Sequence, residues 1–310
     1  MIVRPLALLA LPLAALASSG CATPPPRGVG PVRALWVTRF DYRTADDVRR
    51  IVRETSDAGF DTLMFQVRGN GTAFWRSALE PWADELGGRD PGFDPLAVAV
   101  EAAHARGMEL HAWVNVMPSW RGATPPSNPA QLYLAHPDWH WYDRSGTRQP
   151  LVDGFYVSLN PCLPEVRRYL VDVCREIVAG YEVDGLHLDY VRFVDDLVEK
   201  DDYPRDPRTV ALFHAEHGRL PRSGADREFD RWKGEQVTKL VRALRAMVDE
   251  ERPDVVLSAA VGAVPEGPAD RHHRDSAGWA REGLVDAVFP MNYTADPAEF
   301  ARRADAWRRL

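Results

Sequence analysis

Cysteine is scarce in this 310-residue chain, with three in all, at Cys21, Cys162 and Cys174. A small domain stapled by disulfides is therefore excluded, and no C-x-x-C pair offers a thiolate metal site. Cys162 precedes a helical stretch and Cys174 lies inside it, which at ~1.5 Å per residue separates them by about 15 Å. A disulfide needs Cα atoms within about 7 Å, so the two are expected as separate thiols. Basic excess is also missing: 38 Lys+Arg stand against 45 Asp+Glu, a formal net charge of −7. That balance argues against a nucleic-acid partner, which would call for a basic face. No apolar run approaches the ~20 residues of a membrane-spanning helix. Neither a G-x-G-x-x-G nor a Walker pattern occurs, so no cofactor is expected, and no nucleophile elbow supports a serine triad. His272-His273 stands in a polar stretch and reads as a solvated loop rather than a metal site.

What is present is ordinary for a globular protein: 45% hydrophobic and 27% charged residues. Residues 1–21 read as a processing segment, with Arg4 as the single charge and an apolar run from Leu6 to Ala17. Ser18-Ser19-Gly20-Cys21 resembles a bacterial lipobox, in which the cysteine is lipidated and becomes the mature N-terminus. Ser18 stands where Leu is usual, which leaves plain secretion as the alternative. Several acyl chains on one residue give a stable membrane anchor, whereas one does not. Residues 22–31, with Thr23-Pro24-Pro25-Pro26, read as an extended tether. The expected location is the bacterial cell envelope, lipid-anchored at the outer membrane or in the periplasm, or else secreted.

From residue 32 to 310 short apolar strands alternate with amphipathic helices. Strands are expected at 33–40, 61–68, 109–116, 184–191, 255–261 and 286–293. Helices are expected at 45–58, 95–106, 164–181, 229–251, 274–282 and 297–309. Gly59 and Gly107 stand where a helix ends, and Pro95 and Pro164 where a first-turn proline is tolerated. Repeated β–α units imply an α/β fold with a parallel sheet, its strands in chain order. A closed TIM-type barrel needs eight such units and six are countable. The alternatives are an open doubly wound sheet and a (β/α) barrel truncated after six units, and the strand ends favour the barrel.

Side-chain parity separates two faces of these strands. His111, Trp113 and Asn115 oppose Leu110, Ala112 and Val114, while His187 and Asp189 oppose Leu186, Leu188 and Tyr190. Gln66 and Arg68 likewise oppose Phe65 and Val67. A strand buried on both sides would be apolar throughout. Here polar residues share one face and gather at C-terminal strand ends, where α/β proteins place their sites.

These motifs carry a resemblance. Arg33-Ala34-Leu35-Trp36-Val37, Phe65-Gln66-Val67-Arg68, Phe93-Asp94-Pro95-Leu96, Gly107 to Asn115, Asp184 to Arg192 and Pro290-Met291-Asn292-Tyr293 resemble, in order, the glycosyl-hydrolase-like 10 family. The resemblance implies a secreted or lipid-anchored bacterial protein with a TIM-type barrel, missing its closing strands. It also implies a glycan-cleaving envelope enzyme, some relatives acting on peptidoglycan glycan strands. Some relatives carry an acidic residue near Asn70, where this chain has an amide.

Glycoside cleavage ordinarily uses two carboxyl groups ~5–10 Å apart. Asp189, at the end of the fourth strand, is the leading candidate for nucleophile or base, with a turn-capping aspartate as the alternative. For the second carboxylate the loop after strand two offers Glu80 first and Asp84 next. Substrate contacts are expected from the polar face: Gln66, Arg68, His111, Trp113, Asn115 and His187. Trp75, Tyr190, Arg192, Asn292 and Tyr293 on the rim complete the set, since aromatic faces suit sugar C–H faces. His187 is equally readable as a satisfied core histidine. Arg39, Arg68 and Arg192 would hold an acidic sugar substituent or pair with neighbouring carboxylates. The competing function is a glycan-binding pseudoenzyme without a competent acid.

Cys21→Ala is expected to abolish incorporation of a fatty-acid analogue and membrane association. Metabolic labelling with fractionation checks this, and equal label in both versions would refute it.

Overall fold

Aspartate and proline set the helix starts. α1 (Ala45–Asp57) opens on a capping box in which Thr44 and Asp47 satisfy each other's backbone N–H groups. Asp94 caps α2 (Pro95–His104), whereas the short α3 (Leu132–Ala135) opens on Gln131. α4 (Pro164–Gly180) relies on Pro164 in its first turn. Asp206, Asp226, Asp275 and Asp296 then cap α5 (Pro207–His217), α6 (Arg227–Glu251), α7 (Ser276–Arg281) and α8 (Pro297–Arg308). Gly59 follows α1 at φ +84°, a left-handed stop that a side chain would resist.

The computed structural model describes residues 32–194 and 203–310. The expected leader, Cys21 and the tether lie outside the described residues. Within the unit Arg33–Leu310, β1 (Ala34–Val37), β2 (Thr62–Arg68) and β3 (Glu109–Asn115) pair in parallel. β4 (Pro118–Arg121) and β5 (Tyr156–Ser158) form a separate antiparallel ribbon. β6 (Gly185–Asp189), β7 (Val256–Val261) and β8 (Ala287–Pro290) continue the parallel sheet, whose order is β1-β2-β3-β6-β7-β8. All six expected strands are found in chain order, each shorter than its apolar run suggested. The ribbon, α3 and α5 fall in segments that carried no assigned element.

Among the described residues the sheet is not closed: β1 pairs with β2 alone and β8 with β7 alone. It is curled. Trp36 of β1 reaches across the concave face to ring contact with Phe289 of β8 at 5.4 Å and with His187 of β6 at 5.7 Å. The architecture is therefore a parallel half-barrel, and eight strands would be needed for closure. Leu63, Phe65, Val67, Leu110, Val114, Leu186 and Leu188 pack into the large core beneath the helices. Register places Gln66 beside Trp113, Trp113 beside His187, His187 beside Ser258, and Asn115 beside Asp189. Residues paired across neighbouring strands share a face, so these polar groups line the concave side.

One buried cation ties the strand ends together. Arg68, the last residue of β2, is fully buried and paired with Glu80 at 2.7 Å. Its Nε donates to both Glu80 oxygens at 2.9 Å. Its Nη1 donates to the carbonyls of Asn115 and Val116, at the exit of β3. The Tyr169 hydroxyl of α4 donates to Glu80 at 3.2 Å. Glu80→Gln should leave the Arg68 charge buried without its counter-charge, at a cost of about 3–5 kcal/mol. Urea denaturation measures it, and a change below about 1 kcal/mol would contradict this account.

Candidate active site

Asp189 stands at the C-terminal end of β6, held where the strand turns away. Tyr190 adopts φ +47°, a region few non-glycine residues enter and one that clusters at functional sites. The Tyr190 N–H donates to the Asp189 carboxylate at 2.6 Å. Val116 N–H donates to the Asp189 carbonyl at 2.8 Å, extending the pairing with β3 past its last residue. Asp189 opens on a cleft of about 330 Å³ with Trp36, Trp113, Ala260, Phe289, Pro290, Met291 and Tyr293. The residue keeps partial access to solvent, yet burial pushes its carboxyl above the usual range. The Tyr190 N–H, the Arg192 charge and, more weakly, Arg274 pull it back. The Trp113 indole N–H acts in the same downward direction without reaching hydrogen-bond geometry.

His187 lies one layer deeper and is fully buried. The Trp36 indole donates to its Nε2 at 3.2 Å, so the ring proton sits on Nδ1 and is given to Ser258 Oγ at 2.9 Å. Burial lowers its pKa to about 3, with His111 adding to the shift, so it is neutral. It is a satisfied core histidine that carries Trp36.

The second cleft, about 310 Å³, is lined by Arg39, Asn70, Asp84, Glu85, Trp120 and Arg121. Asp84 opens a 3₁₀ turn (Asp84–Leu86). Burial and then neighbouring Glu85 raise its carboxyl above the ordinary value. Arg39 binds Glu85 at 2.7 Å and the Tyr156 hydroxyl at 3.2 Å. The Tyr156 ring meets Tyr190 at 5.1 Å, which links this cleft to the turn holding Asp189.

Several sequence expectations are corrected by these positions. Glu80 is locked to Arg68, and both side chains are wholly buried, so neither faces a cleft. Gln66 accepts the Arg39 N–H at 3.0 Å and is likewise buried. Trp75 is buried with its indole N–H on Glu176 at 3.3 Å. His111 lies beneath the site against Gly185, where an added Cβ would come within 2.3 Å of Nδ1. Asn292 fastens β8 to α8 through the Phe300 carbonyl at 3.1 Å and Arg303. Trp113 and Tyr293 do line the Asp189 cleft. Asn115 is its register neighbour, and Arg192 covers the Tyr190 ring at 4.9 Å. His273 is not solvated: it is buried, edge-on to Phe193 at 4.8 Å, while His272 meets Glu266 at 3.2 Å. Among the described residues no group of three His, Cys, Asp or Glu is placed to hold a metal. Cys162 and Cys174 are separate buried thiols.

Missed from the sequence were Trp36, Phe289 and Met291 in the first cleft, and Arg121 and Tyr156 at the second. Parity would have put Trp36 on the polar face. Nothing local marked Arg121, because only the ribbon brings it opposite Asn70.

A curled parallel α/β sheet with a carboxyl at its C-terminal strand ends defines a barrel-type α/β protein with its candidate site where such folds place their sites. The family model described as glycosyl hydrolase-like 10 matches residues 31–309, and the chain belongs to that family. It is 27% identical to Glycosyl hydrolase DigH of Escherichia coli (strain K12), over 85% of this chain and 65% of that protein. It is 24% identical to Glycosyl hydrolase YngK of Bacillus subtilis (strain 168), over 83% of this chain and 51% of that one. The chain thus spans less than two thirds of the length of these relatives. Among solved structures, the PgaB (BpsB) glycoside hydrolase domain from Bordetella bronchiseptica superposes with a TM-score of 0.63 at 18% identity. The superposition covers 90% of this chain and 81% of that one, and shows a shared fold.

Asp189 has a folded pKa above its unfolded value, so the folded state holds the extra proton. Stability therefore falls as pH rises from the ordinary aspartate range through the raised value. Asp189→Asn is expected to raise Tm at pH 7, the gain vanishing below the ordinary aspartate range. Thermal denaturation across pH checks it, and a Tm lowered at pH 7 with no pH dependence would refute it.

Proposed function

We propose that this chain carries the catalytic site of a glycoside hydrolase acting on bacterial envelope polysaccharide, with peptidoglycan glycan strands as the first substrate to test. The observation that carries this reading is Asp189, a carboxyl of raised pKa facing an aromatic-lined cleft at the C-terminal strand ends. A raised pKa makes the carboxylate a stronger base at neutral pH. Asp189 acts as base or nucleophile beside the anomeric carbon, where its charge stabilises an oxocarbenium-like transition state. Trp36, Trp113 and Tyr293 offer faces for sugar rings. Asp84 replaces Glu80 as the candidate acid, since its raised carboxyl lines a cleft while Glu80 is held by Arg68. Anchoring through Cys21 would place the enzyme against its polymer.

The pseudoenzyme reading has its own support. Asn70 is an amide that cannot supply a proton, and the best-placed loop acid by sequence is locked in an ion pair. Incubation with peptide-stripped glycan strands and assay of new reducing ends separates the two. Asp189→Asn should lower turnover by ~10² or more while glycan binding persists. Near-normal cleavage by Asp189→Asn would remove Asp189 from the mechanism. Binding without cleavage by the unaltered protein would favour the pseudoenzyme.

A further inference from the structure

The second cleft contains two groups whose bonding is incomplete. Asn70 is 6% exposed, lines the cleft, and has no hydrogen-bond partner at its Oδ1. A buried amide oxygen left unpaired is unfavourable, and a bound donor would recover that loss. Arg121 is the second. Its Nε donates to the Gly154 carbonyl at 3.1 Å, and its guanidinium covers Phe40 and Tyr156 at 5.9 Å. It makes no ion pair among the described residues, whereas Arg39 beside it is committed to Glu85 at 2.7 Å. Arg121 therefore brings a guanidinium without an ion pair among the described residues to a cleft that Asn70 also lines.

The cleft is also connected to the reacting carboxyl. Tyr156 receives the Arg39 guanidinium on its hydroxyl and touches Tyr190, the residue after Asp189. Tyr156 thus bridges Arg39 of the second cleft and the turn that follows Asp189.

We propose that this cleft is a flanking subsite for a carboxylate-bearing sugar, its carboxylate on the Arg121 guanidinium and a hydroxyl or amide N–H donated to Asn70 Oδ1. The assignment rests on the glycan-cleaving reading and specifies its substrate class. A guanidinium offers parallel N–H groups to a carboxylate, which a neutral sugar cannot use. Asp84 lines the same cleft, and among the described residues no ion pair joins it to Arg121.

The test uses peptide-stripped peptidoglycan glycan fragments and the same fragments with their carboxyls reduced to alcohols, binding being measured by calorimetry on the full chain. The unaltered protein is expected to bind the carboxylated fragments about tenfold more tightly, a preference that 0.5 M salt weakens. Arg121→Gln, at an exposed position, should abolish the preference, and Arg121→Lys should restore part of it. Equal binding of both fragments by the unaltered protein overturns this subsite alone, as does a preference that survives Arg121→Gln. Binding of neither fragment overturns the subsite and the glycan-cleaving reading together.

Discussion

The Arg68–Glu80 pair is the constraint on which the upper half of the molecule depends. A guanidinium with no access to water must be neutralised and must spend its N–H groups, or the fold pays several kcal/mol. Arg68 meets both demands by taking Glu80 from the loop after β2 and two carbonyls from the exit of β3. Three chain segments are thereby fixed at one point. The same carbonyl region begins the turn into the β4–β5 ribbon, which carries Arg121 and Tyr156 to the second cleft. Gly69 must then pass against Arg39, where an added Cβ would come within 2.4 Å of the guanidinium. Glycine at that position is a packing requirement.

A second polar chain sets the floor of the concave face. Trp36, His187 and Ser258 link β1, β6 and β7 in one donor-to-acceptor series. Each group is satisfied, so the neutral imidazole is inexpensive to bury. The series also aims the Trp36 ring at Phe289, so that the two edge strands of the curled sheet meet through their side chains. Asp189 sits above this closed series among the aromatic and apolar residues of its cleft, and burial there outweighs the Tyr190 N–H and the arginine charges acting on it.

Much of the fold was legible because its determinants are local. Six apolar runs with intervening amphipathic stretches gave six parallel strands in order, and Asp-Pro pairs such as Asp94-Pro95 and Asp296-Pro297 marked helix starts. Strand alternation identified the face bearing Asp189, Trp113 and Asn115. Alternation says nothing of depth along the strand, so His111, His187 and Gln66, on the correct face, turned out to lie below the cleft or in closed hydrogen bonds.

Loop chemistry was the part that local pattern could not resolve. Glu80 and Asp84 differ by four positions and look equally free in the chain. One is consumed by Arg68, twelve residues back, and the other faces a cleft, a distinction made only by the path of the loop. Trp75 is closed in the core with its indole on Glu176, whereas Trp113 keeps partial exposure and lines the Asp189 cleft. The sequence by itself determined the α/β class, the strand order and the polar face, since period, capping and parity are properties of neighbouring residues. Which carboxyl remains available, which tryptophan meets solvent and where Arg121 lies depended on contacts tens of residues apart, and those exist only once the sheet has curled.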